Sequence, residues 1–302
     1  MHVEHTPRYH DCLRCHDYAF PLSRGELSIH HFITQEMTEK SSKPTIKRTG
    51  DGSTSLYSPA FDQLYHNPNG AVAESRHVFF ETNGLVKSLK KRSSLNIFEI
   101  GFGTGLNLLL TLDYLRKLNL DTEIAYYSVE AFPVDADMTE DFEFADEPGL
   151  QNSLPMLRTV LQDIYPGMNR IQLTDQLSLH FWFGFFNDLF DEHEKSPIIN
   201  HKMDFIFQDA FSPEVNEELW TPEVFEKLAS ISNDDAVLST YCAASAARAA
   251  MAVAGWKIAR AQGALGKREM TLASLDEDKL KDFKRVNEKR LAERFEKGDF
   301  DD

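Results

Sequence analysis

The stretch Glu99-Ile-Gly101-Phe102-Gly103-Thr104-Gly105-Leu-Asn107 constrains the fold of this chain more than any other. It follows a short apolar run, Leu95 to Ile100, and leads into a run from Thr104 to Leu118 that predicts a helix. Glycines between a strand and a helix allow a tight turn and a close approach of backbone to ligand. The start of the helix adds free N–H groups. The spacing is G-x-G-x-G rather than the G-x-G-x-x-G of dinucleotide sites, and in an α/β chain it suits S-adenosylmethionine better than NAD. A tight connection with no ligand is the simpler alternative. Glu130 bears on that choice. It ends a second strand candidate, Glu123 to Glu130, where an acid can accept hydrogen bonds from both hydroxyls of a ribose.

Further along, Leu177 to Phe183, Met203 to Phe207 and Ala236 to Tyr241 read as strands, and Glu214 to Ala229 and Ala243 to Ala254 as helices. Trp256 to Ala259 and Glu269 to Ala273 can close as a hairpin. Strands alternating with helices predict an α/β sheet covered on its faces. The expected divisions are a flexible N-terminal extension (1–52), a region covering substrate and cofactor (53–94), the main domain (95–274) and a charged C-terminal tail (275–302).

The charge balance limits the partners. Asp and Glu number 48 against 32 Lys and Arg, a net charge of −16, so a protein that coats nucleic acid through a basic surface is excluded. Any nucleic acid must meet a local patch. Arg248, Lys257, Arg260, Lys267 and Arg268 form one such cluster and Lys87, Lys90, Lys91 and Arg92 another. No apolar run is long enough to span a membrane, and the N-terminus lacks a secretory pattern. A soluble, cytoplasmic chain is expected. Cys12-Leu-Arg-Cys15-His16 has the form of a haem attachment site, but without export it is read as an incidental extension rather than a haem or metal site.

Asp209 is the candidate for chemistry. It stands at the carboxyl end of the Met203 strand, the edge where open α/β sheets bind ligands. A carboxylate there can accept from an amine N–H and orient the nitrogen lone pair for in-line methyl transfer. Phe211 can stack on a flat heterocycle. The competing reading makes Asp209 the N-cap of the next helix and Phe211 a core residue.

Together the motifs resemble the MnmC-like methyltransferases, specifically the stand-alone MnmD form without the fused flavin-dependent oxidase. The matching pieces are Thr54 to Pro59, Tyr65-His66, Asn69 to Ala71, Glu74 to Phe79, Glu99 to Asn107 and Ser128 to Pro133. Trp182 to Gly184, Gln208 to Pro213 with Trp220, Thr240 to Ala243, and Gly266 to Met270 complete the set. The resemblance implies a class I S-adenosylmethionine-dependent methyltransferase fold: Rossmann-like, α/β, a seven-stranded mixed sheet with a small N-terminal region. It implies methylation of the amine of 5-aminomethyl(-2-thio)uridine at the tRNA wobble position, giving 5-methylaminomethyl-2-thiouridine, with separate enzymes supplying the precursor. S-adenosylmethionine would be held by Glu99, Gly101, Phe102, Gly103, Thr104, Gly105, Asn107 and Glu130. Asp209 would anchor the amine. Phe211 and Tyr241 would line the nucleoside pocket, with Glu74, Arg76, Lys267 and Arg268 also on the substrate side and the anticodon loop as partner. No metal is implied. Phe185 departs from the acid usual after Gly184. Two alternatives stay open: a methyltransferase of this fold acting on a small-molecule or protein amine, and a cofactor-binding module without catalysis.

Overall fold

The computed structural model describes residues 43–144, 146–190, 198 and 201–300. The His/Cys stretch near the N-terminus lies outside them. Residues Lys43 to Asp302 form one compact unit.

A small antiparallel sheet opens the unit: β1 (Thr45–Arg48), β2 (Thr54–Ser58) and β3 (Gln63–Leu64). The main sheet contains β4 (Ser94–Ile100), β5 (Glu123–Glu130), β6 (Gly167–Thr174), β7 (Leu177–Phe183), β8 (Met203–Gln208), β9 (Ser232–Thr240), β10 (Lys257–Gln262), β11 (Glu269–Ser274) and β12 (Lys284–Arg285). Its order is β12-β10-β11-β9-β8-β4-β5-β7-β6. The expected seven-stranded mixed sheet is its centre, β10 to β7. β4, β5, β7, β8 and β9 run parallel, and β11 is antiparallel to both of its neighbours.

Alternation along the central strands divides the core. In β4, Leu95 and Ile97 join one apolar cluster, and Phe98 and Ile100 the other; in β8, Phe205 and Phe207 oppose Ile206. Strands covered on both faces read as near-continuous apolar runs, and all six residues of β8 are buried. Helix Leu106–Leu118 lines one face with Leu108, Leu109 and Leu112. Helices Pro222–Ser230 and Ser245–Val253 supply Phe225, Leu228 and Met251 to the other.

The structure adds elements at both edges of the sheet. β6 pairs antiparallel with β7 and has a mixed, half-exposed pattern, so apolar periodicity does not betray it. Past position 275, β12 pairs with β10 and helix Glu288–Glu296 follows; this end is built into the sheet. At the other end β1 pairs with β2, so ordered structure begins before Ser53. Among the described residues, no helix is long and apolar enough to cross a membrane.

Candidate active site

The carboxyl ends of β4, β5 and β8 meet where strand order reverses around β4, the crevice in which open α/β sheets take ligands. The turn after β4 is shaped by its glycines. Gly101, Gly103 and Gly105 have φ values of +87°, +54° and +74°, a region costly for residues with a Cβ. Gly105 occupies the cap of helix Leu106–Leu118, which has no side-chain cap, so its first N–H groups stay available. Phe102 and Thr104 are both buried. The Phe102 ring meets Phe181 edge-on at 5.0 Å, which anchors the turn in the core.

Glu130 closes the turn from the side. Its Oε2 accepts from the Gly103 N–H at 3.0 Å and its Oε1 from the Phe132 N–H at 2.9 Å. Burial raises its carboxyl above the ordinary value. Glu130→Ala removes this staple on the turn. Its affinity for S-adenosylmethionine should fall by roughly 1–3 kcal/mol, read by calorimetric titration. Unchanged affinity would place the ribose elsewhere.

Glu99 lies beneath the turn rather than along its cavity. It is 1% exposed; its Oε1 accepts from Asn107 Nδ2 at 2.9 Å and its Oε2 bonds Ser128 Oγ at 2.9 Å. The same Asn107 Nδ2 donates to Asp209 Oδ2 at 2.9 Å, so one amide ties the glycine turn to the candidate acid. Asn107 Oδ1 is buried and has no partner among the described residues. A buried acceptor left unmet beside the turn fits a ligand ammonium, such as that of the methionyl moiety of the cofactor.

Burial pushes the Glu99 carboxyl from its ordinary 4.5 up to about 8. The folded state therefore prefers the neutral form. Its stabilising contribution is complete below the unfolded value and is lost as pH rises through the folded one. Glu99→Gln, which mimics the protonated group, should hold its melting temperature over roughly pH 5 to 9 while the wild type declines. Parallel thermal melts of the two proteins would contradict this.

Asp209 follows β8. Burial, with the charges of Glu99 and Glu74 adding, raises its carboxyl well above the ordinary value. It does not cap a helix: Thr221 accepts from Val224 N–H at the start of Pro222–Ser230. Asp209 instead sits in the wall between two cavities. The first is lined by Gly101, Gly103, Asn107, Glu130, Phe185 and Phe211, among others. The second, about 710 Å3, is lined by Glu74, Asn67, Ser75, Phe79 and Lys267 among others. Tyr65, His66, Asp209 and Tyr241 face both.

Tyr65 and His66 lie in a matched motif, yet sequence reasoning assigns them no role; their signal is the Tyr-His pair just before the Asn67-Pro68 turn. Burial pushes His66 down to about 4, leaving it neutral at pH 7, with Nδ1 3.1 Å from Ser55 Oγ. Phe61, which carries no such signal, packs on Phe211 at a 33° tilt with ring centres 4.8 Å apart, and Tyr65 meets Phe211 edge-on at 5.0 Å. Tyr241 donates to the Ala210 carbonyl at 2.8 Å, and Lys267 Nζ lies 4.9 Å from the centre of its ring. Exposed Arg268 lies on a third, shallow cavity with Arg248 and Arg260. Arg76 is not brought to the site. It is drawn the other way, onto Glu147 and, at 3.1 Å, Asp113, because those buried or half-buried acids need a cation.

A family model described as S-adenosyl-L-methionine-dependent methyltransferase matches residues 150–276. Over that stretch the chain is similar to this family. The methyltransferase is 34% identical over 224 residues to the tRNA 5-methylaminomethyl-2-thiouridine biosynthesis bifunctional protein MnmC of Ralstonia nicotianae, covering 72% of this chain and 32% of that protein. It is 31% identical over 229 residues to the protein of the same name from Leptospira interrogans, covering 72% and 33%. It thus spans about a third of the length of the curated relatives it matches. The crystal structure of MnmC2 from Aquifex aeolicus shares its fold, with a TM-score of 0.64 at 23% identity over 90% of this chain and 88% of that one. S-adenosylmethionine is accordingly the methyl donor.

Proposed function

We propose that the methyltransferase methylates the primary amine of 5-aminomethyl(-2-thio)uridine at the tRNA wobble position. One observation carries this reading: Asp209 faces the donor cavity on one side and a second cavity on the other. That second cavity falls within the roughly 300–1,000 Å3 usual for small-molecule sites, so it has room for a nucleoside turned out of its stack. The names of the curated relatives supply the acceptor.

S-adenosylmethionine, when bound, supplies an electrophilic methyl on a sulfonium. The protein's task is to present an amine nitrogen to it, unprotonated and in line. Asp209 accepts an N–H and turns the lone pair toward the donor cavity. Formation of the N–C bond leaves the nitrogen with an extra proton, and the buried Asp209 carboxylate, a stronger base than an exposed one, is placed to take it. Tyr241 offers a ring face to a pyrimidine, whereas Phe211, expected beside the nucleoside, lines the donor cavity alone and packs on Phe61 and Tyr65. Phe185 meets Phe132 edge-on at 5.8 Å, giving the adenine end of the donor cavity an apolar wall.

Exposed Arg268 is placed to meet an anticodon-loop phosphate. Arg268→Glu should raise the apparent KM for tRNA and flatten its salt dependence; unchanged steady-state kinetics would move the RNA surface elsewhere. The function itself is tested by offering labelled S-adenosylmethionine and tRNA from a strain lacking the methylated nucleoside. Label in the wobble nucleoside supports the reading. Label only in a protein or small-molecule amine, or donor binding without transfer to any acceptor, refutes it.

A further inference from the structure

We infer that Glu74 and Lys267 read the edge of the acceptor base and select an imide, the uracil type, over cytosine. This rests on the nucleoside reading above and deepens it.

Glu74 is 7% exposed and lines the second cavity together with Lys267 and Asp209. Its Oε1 accepts from Lys267 Nζ at 2.7 Å and from Asn67 Nδ2 at 3.2 Å. Among the described residues its Oε2 accepts only the Asn67 N–H, at 3.0 Å. A carboxylate has about four acceptor positions, so one remains on Oε2. The Lys267 ammonium carries three donors and gives one to Glu74, with the Tyr241 ring on another side. An acceptor and a donor therefore stand side by side on one wall, each with capacity to spare. Asn67 grips both oxygens of Glu74 and fixes the direction of its carboxylate.

A uracil ring presents, in order from C5, the C4 carbonyl and then N3–H: an acceptor followed by a donor. Cytosine presents the reverse, an amino group and then a bare N3. With the C5 aminomethyl group on Asp209, the carbonyl faces Lys267 and N3–H faces Glu74. Both side chains and Asp209 line the same cavity, which places all three around one space. Cytosine would set donor against donor and acceptor against acceptor, leaving buried groups unpaired, and a site built to hydrogen-bond rejects such a ligand strongly.

The test uses two synthetic anticodon stem-loops, one with 5-aminomethyl-2-thiouridine and one with 5-aminomethylcytidine at the wobble position. The wild type should favour the uridine loop by about 100-fold or more in kcat/KM. Lys267→Met and Glu74→Gln should each lose roughly ten- to a hundred-fold on the uridine loop and little on the cytidine loop, so that the preference collapses. Donor affinity, titrated separately, reports that each variant is folded. If Glu74→Gln loses that affinity along with its grip on Asn67, Lys267→Met carries the same comparison. A parallel fall on both loops would make the pair a structural clasp and overturn the inference, as would a wild type indifferent to the base. A wild type that binds donor and methylates neither loop defeats the nucleoside reading itself, and the inference with it.

Discussion

Asp209→Ala should lower turnover by roughly 10²–10⁴-fold, the span typical of a lost acid–base group, while affinity for S-adenosylmethionine stays close to wild type. The separation is expected because the glycine turn and Glu130 are held by their own contacts: Gly103 N–H on Glu130, and Phe102 in the core. Asp209→Asn sharpens the test. Its carbonyl can keep the hydrogen bond from Asn107 Nδ2, so packing survives while charge and basicity are lost. Single-turnover methyl transfer, measured beside a donor titration, distinguishes the outcomes. If Asp209→Asn turns over like wild type, the residue holds structure and a different group receives the amine.

Gly101→Ala carries the second large effect. A Cβ there would stand 2.8 Å from the Asp209 carbonyl oxygen and 3.2 Å from the Ala210 Cα, backbone atoms that cannot swing aside. The residue also holds φ +87°, strained for any side chain at about 1–3 kcal/mol. Gly84 separates the two costs: its φ is +85°, and a methyl added there would meet nothing within 4 Å. Gly84→Ala should show the conformational cost alone. Gly101→Ala should add displacement of the end of β8, a melting temperature lower by several degrees more, and donor binding weakened by about tenfold or beyond. Equal melting losses with intact donor binding would show that the turn tolerates movement against β8.

The parts of this site that can be read from the chain are those whose signal is local. The glycine turn announces itself because three positions in five residues need backbone freedom, and Glu130 and Asp209 because each ends an apolar strand. Glu74 and Lys267 are different. They are 193 positions apart, and no spacing rule says that a glutamate after Asn69-Gly70 and a lysine in a hairpin will touch. Arg76 shows the same limit from the other side: it belongs to a matched motif, but the acids that capture it, Asp113 and Glu147, come from elsewhere in the chain. The edge strand β6 is hard to see in the sequence because a half-exposed strand carries polar residues on both faces. The motif places Glu99 among the cofactor contacts, whereas its side chain turns inward to Ser128 and Asn107.

The clasp between Glu74 and Lys267 joins a short helix to a hairpin 193 positions away, and neither segment forms part of the glycine turn. If Glu74 and Lys267 read the base as proposed, acceptor choice and methyl supply have separate hereditary addresses. On the proposed reading, drift in those two segments redirects the enzyme to a new base while its grip on the donor is inherited untouched, and grafting that pair of segments between relatives is the direct route to exchanging their targets.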